Sequence, residues 1–149
     1  MNERCLSAYQ RFMEMNVNQG RILLAQEIKS NPKNALPFAL INYEDFISLV
    51  FNENPDEYNR RLPLKDRRLA LLENTDKNSP YYLFSKALLY FQWSMIQIKY
   101  TDYWNAAWDF RKSYFLFQEN KKKFPDFPYT DIFLGAQETV ISTIPKGYK

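Results

Sequence analysis

Residues 30–46 read SNPKNALPFALINYEDF, and the two prolines in that stretch decide the fold. Pro32 disfavours helical geometry at the residue before it, so the helical pattern upstream has to stop near Asn31. Asn34 then offers a side-chain oxygen to the open amides of a new helix, and Pro37 falls in its first turn, where a missing N–H costs little. A stop and a start this close together predict a joint between two packed helices, not a decorative surface loop.

The same grammar recurs on both sides. Residues 3 to 14 place Cys5, Leu6, Tyr9, Phe12 and Met13 on one face at amphipathic spacing, and residues 18 to 29 bring Ile22, Leu24, Ala25 and Ile28 together. From 35 to 51, Leu36, Ala39, Leu40, Tyr43, Ile47 and Val50 form one broad face, with Asn42, Asp45 and Asn52 on another. Asn54-Pro55 and Ser79-Pro80 repeat the cap-plus-proline start. Pro63 interrupts the segment opened by Asn54, and a further helical stretch follows from 65 to 74.

After Ser79-Pro80 comes the most apolar run, YYLFSKALLYFQWSMIQIKY. Its length and its helix formers predict a central helix on which only Ser85, Gln92 and Lys99 make a continuous polar stripe. Asp102 is placed to cap the next helix, 103 to 121. There the spacing puts Trp104, Ala107, Trp108 and Tyr114 inward and Asn105, Asp109, Lys112 and Glu119 toward water. FPDFP (124–128) ends it. A last helix, 130 to 142, is read with Ile132, Gly135, Ala136 and Val140 inward. With three glycines and no Asn-Gly or Asp-Gly turn, the prediction is all-α: seven or eight helices as antiparallel hairpins in one domain spanning 1–149.

Composition excludes several chemistries. Histidine is absent, which removes the commonest general base and metal ligand. Cys5 is the only cysteine, so neither an internal disulfide nor a thiolate metal cage is expected. Few glycines leave no phosphate-cradling loop, and no cofactor is expected. A net charge of +3 does not call for nucleic acid, and no stretch reaches the roughly eighteen apolar residues of a membrane span. Paired carboxylates are the one catalytic option left. Glu44 and Asp45 diverge by about 100° on a helix, while Asp102 and Asp109 lie roughly 10 Å apart along one. No catalytic residue is therefore assigned.

Residues 79 to 118 resemble a stretched tetratricopeptide (TPR) repeat. Ala87 and Tyr90 are similar to the small and aromatic positions of the first helix, and Ala106, Phe110 and Ser113 to the small, aromatic and small positions of the second. The first helix is about two turns longer than the repeat's, and its usual Trp and Leu are missing. Asn31-Pro32-Lys33-Asn34 is similar to the Asp-Pro-x-Asn link between consecutive repeats. The spacing of Asn120, Phe124, Pro125, Phe127, Leu134, Gly135, Thr143, Ile144, Pro145, Tyr148 and Lys149 resembles the amino-terminal region of a group of longer bacterial TPR-like envelope proteins. The resemblance implies a right-handed array and further helices after Lys149. Read literally the chain is cytoplasmic; as a trimmed fragment it belongs to the cell envelope, with an export signal before Met1.

What the resemblance implies about function is a non-catalytic module that binds a protein or peptide in a helical groove. The candidate groove residues are Asn42, Asp45, Ser85, Lys86 and Gln92. The alternative is a structural domain packing against further helices of its own chain or another subunit. Trp93, Trp104 and Trp108 read as core rather than as stacking platforms. Arg60, Arg61, Lys65, Arg67 and Arg68, and the run Lys121 to Lys123, read as solvated faces.

Overall fold

Three helices begin at a side-chain cap, two of them followed by a proline. Asn2 accepts from the Cys5 amide at 3.0 Å, Asn54 from those of Asp56 and Glu57, and Ser79 from that of Tyr81. Pro55 and Pro80 each occupy the first helical position. In the computed structural model, which describes residues 1–148, there is no strand among the described residues. Eight α-helices precede a short closing 3-10 turn: α1 Glu3–Met13, α2 Val17–Ser30, α3 Leu36–Phe51, α4 Pro55–Arg61, α5 Pro63–Leu72, α6 Pro80–Lys99, α7 Tyr103–Lys123 and α8 Tyr129–Thr143. Lys149, the final residue of the closing resemblance, lies outside the described residues.

The joint at residues 31–35 is built as the sequence predicts. Asn34 Oδ1 accepts from the Leu36 amide at 3.1 Å, and Pro37 sits in the first turn of α3. The joint is also tied to the link between α5 and α6, because Lys33 Nζ donates to the Asn74 carbonyl and the Asp76 amide donates to the Lys33 carbonyl. Asp102 departs from its expected role. No side-chain bond caps α7; instead its carboxylate accepts from Asn105 and from the Tyr58 hydroxyl.

Contacts set the direction of each helix pair. Phe84 packs on Phe117 and Phe91 on Phe110, and Ser113 Oγ donates to the Ala87 carbonyl at 2.8 Å, so α7 runs back along α6. Phe117 stacks on Phe133 and Asn120 donates to Thr130, which turns α8 back along α7. Between α3 and α6 the partners advance together, Asn42 with Gln92 and the Leu49 carbonyl with the Tyr100 hydroxyl, so these two run parallel. Two core clusters result, one around Leu49, Leu72, Leu89, Trp93 and Ile96, the other around Phe12, Leu24, Leu40, Phe84 and Phe117.

The inward faces differ from the expected ones wherever helices approach closely. In α7 the buried residues are Ala106, Asp109, Ser113, Phe117 and Asn120, while Trp104 is 82% and Trp108 55% exposed. A tryptophan at Ser113 would hold the helices too far apart for the Ala87 contact, so the small residues take the interface and the indoles face out. In α8 Thr130 and Gln137 are buried, whereas Ile132 and Val140 are exposed, as are Gly135 and Ala136. In α2 Gly20, Leu24 and Glu27 turn inward, and Ile22 and Ala25 outward. Gly20 is there because a Cβ would meet the Phe12 ring at 2.5 Å. In α1 Ala8 joins Cys5 and Phe12, and Leu6 and Met13 are exposed.

Candidate functional site

The five candidate groove residues do not share one exposed face. Asn42 has no exposed surface, and Asp45, Ser85 and Gln92 are also buried. On α3, a helix with few polar residues, Asn42 and Asp45 require donors, and the basic residues of α4 and α5 supply them. Arg68 donates to Asp45 and to Asn42 Oδ1, and Arg61 donates to Asp45 at 2.5 Å and to Glu57 at 2.6 Å. These arginines are thus half-buried partners of carboxylates, not the solvated face that the sequence suggests. Lys65 behaves the same way, donating with Gln97 to the buried Asp109. Lys121 bonds Asp131 and the Pro125 carbonyl.

Lys86, beside Ser85 of the expected stripe, donates to Glu73 at 2.8 Å and lies over the Tyr82 ring. Lys86, Lys77 and the Tyr82 hydroxyl together hold the Glu73 carboxyl down at about 2. Burial pulls the Lys86 pKa down, but the Glu73 carboxylate outweighs it and the net direction is up. Ser85 Oγ is sealed without a partner. Glu44, the neighbour of Asp45, is held by Arg21. Both carboxylate pairs considered for catalysis are therefore engaged by their own surroundings. Among the described residues no cluster of three His, Cys, Asp or Glu side chains is placed to hold a metal ion, and no helix is long and apolar enough to cross a membrane.

Gln92 is the exception among the five. It is 5% exposed, yet it lines a slot of about 200 Å³ bounded by α1, α3, α6 and α8. Tyr9, Tyr43 and Phe46 form one wall, with Tyr9 against Tyr43 and Tyr43 stacked on Phe46. Phe91 and Phe133, in edge-to-face contact, form the other, and Leu40 and Leu88 complete it. Burial, with the neighbouring Tyr9, pushes the Tyr43 hydroxyl pKa up.

The orientation of Gln92 follows from its neighbours. Trp93 Nε1 donates to Asn42 Oδ1 at 2.8 Å, and Arg68 donates to the same oxygen at 2.9 Å. Indole and guanidinium can only donate, so that atom of Asn42 must be the oxygen. Asn42 Nδ2 then donates to Gln92 Oε1 at 2.6 Å. The Gln92 group left over is its Nε2, which has no acceptor among the described residues. Sequence reasoning named Gln92 and missed the aromatic walls. The available signal was a tyrosine or phenylalanine repeated on α1, α3, α6 and α8.

Two of the larger recesses lack such a group. One of about 510 Å³ is lined by Arg21, Arg61, Arg68, Glu44, Asp45 and Glu57, which pair with one another. The other, about 410 Å³ and mainly apolar, lies beside Met15, Ile47 and Phe51. No protein-family model, curated protein or solved structure matches the chain.

Proposed function

We propose that the chain is a non-catalytic protein-interaction module, a TPR-like right-handed array that presents the face of α1, α3, α6 and α8 to an extended peptide or partner segment. The carrying observation is the aromatic slot on that face, with the Gln92 amide among its lining residues. Support for the repeat reading comes from the Ala87–Ser113 contact, which joins residues at the small positions of the resemblance. It also comes from the way joint 31–35 is bonded to the link after α5. The non-catalytic part rests on the engagement of Glu44, Asp45, Asp102 and Asp109 by internal donors.

A peptide selected by display against the folded protein tests the face. Its affinity should fall tenfold or more, roughly the loss of one hot-spot contact, when Tyr9 at the rim becomes Arg, and it should be unchanged in Trp104→Arg. The opposite pattern favours the second reading, a structural domain that packs against further helices or another subunit. The observation behind that reading is the exposed row of Trp104, Trp108 and Phe115 on α7, with Ile132 and Val140 exposed on α8.

A further inference from the structure

We infer that the slot selects an uncharged apolar group carrying a carbonyl: an aromatic or branched aliphatic side chain of a peptide, together with a backbone carbonyl that accepts from Gln92 Nε2. The inference rests on the interaction reading and specifies its chemistry. Size is suitable, since a cavity of roughly 150 Å³ takes benzene and this slot has about 200 Å³. Its lining contains no Asp, Glu, Lys or Arg. A carboxylate or ammonium entering it would lose its water and find no counter-ion.

The donor supplies the discrimination. The chain from Trp93 and Arg68 through Asn42 fixes Gln92 Oε1 on Asn42, which leaves Nε2 as the amide atom of this slot-lining residue free to meet an occupant. Turning the amide over would set two donors against each other at the Asn42 contact. Gln92 Nε2 is not sealed from solvent, so water can bond it. An apolar occupant without an acceptor expels the water and leaves the donor unpaired, whereas a carbonyl replaces it. A peptide offers both features, as each side chain comes with a carbonyl on its own residue. The buried polar network thus fixes which end of the Gln92 amide is left to bond an occupant.

Proton–nitrogen NMR of the side-chain amides tests this on the intact protein with two probes, N-acetyl-L-phenylalaninamide and ethylbenzene. The amide probe should move the Gln92 Nε2 proton pair downfield along with the Tyr43 and Phe133 ring signals; ethylbenzene should move ring signals alone. Gln92→Met keeps the shape and removes the donor, so affinity for the amide probe should fall roughly tenfold while that for ethylbenzene is retained. An unmoved Gln92 pair at saturating probe overturns the inference, and so does an anionic probe, N-acetyl-L-phenylalaninate, that binds more tightly. The wild-type spectrum decides the matter even if the variant does not fold. Probe binding at Gln92, combined with displayed peptides indifferent to Tyr9→Arg, leaves the slot chemistry standing and sinks the peptide-groove function.

Discussion

Glu27 is a buried carboxylate in the middle of the joint from which the fold was read. Its Oε1 accepts from Asn2, Asn31 and Asn34, and its Oε2 from Arg4. It therefore ties the start of α1 and the end of α2 to the turn before α3. Burial by itself would raise its pKa, but bonds from Asn34, Asn2 and Asn31, with Arg4, outweigh this and bring it below the ordinary 4.5. A folded-state pKa below the unfolded one means that the stabilisation is complete above pH 4.5 and is lost as pH falls through that value toward the folded pKa. Glu27→Gln keeps the shape and sets an NH₂ against Arg4, at a cost of about 1–3 kcal/mol near neutrality. Denaturant melts across pH should show the wild-type advantage shrinking below pH 4.5, and parallel curves for the two proteins would sink this assignment. The sequence exposes the roles of Pro32 and Asn34 because capping and proline geometry are local. It hides Glu27, since a carboxylate on a helix reads as solvated until its asparagine partners are brought in from other turns.

At the scale of a helix, what could be read depended on whether the informative neighbours lie along the chain or across a contact. Helix ends were legible, because Asn54, Ser79 and the prolines act within one turn. Helix phases were not: on α3 and α6 the polar residues Asn42, Asp45, Ser85 and Gln92 turn inward, and α7 has aromatic residues around its whole circumference. There the deciding residues are Ala106, Ser113 and Asn120, seven apart and all buried, and a count of bulky residues cannot find them. The same helix pair shows a second feature that sequence alone conceals. Between α6 and α7, Thr101 adopts φ 61°, the left-handed conformation in which a β-branched residue is strained. The Asp102 amide reaches back to the Gln97 carbonyl at 2.8 Å, the bond that closes a helix end of this kind, where glycine is the usual residue. Thr101→Gly removes the strain and adds some freedom to the unfolded chain, so a net gain of about 1 kcal/mol is expected. Thermal melts would read it as a higher Tm, and an unchanged or lower Tm would show that Thr101 is not strained.

For the molecule as a whole, the two proposed readings assign contact to different surfaces, and the three tryptophans report on which of them stays bare. Trp93 is fully buried, with its indole N–H bonded to Asn42, whereas Trp104 and Trp108 stand on the outer face of α7. Lys112 lies over the Trp108 ring and Arg111 over Phe115, so this face carries cations as well as aromatic area. Iodide should quench most of the wild-type emission in dilute solution, while a Trp104→Phe, Trp108→Phe protein, reporting Trp93 alone, should be blue-shifted and protected. Equal protection of both proteins would mean that α7 does not turn its indoles outward. Concentration then separates the two functional readings. If partners bind only at the slot, the α7 face stays bare and iodide access is the same in dilute and concentrated samples. If α7 is an assembly surface, access falls as concentration rises, and Trp108→Lys restores it by placing a second cation beside Lys112. We expect concentration-independent quenching, because the face with an oriented, unpaired polar group is the slot, and α7 offers aromatic area with nothing arranged to select a partner.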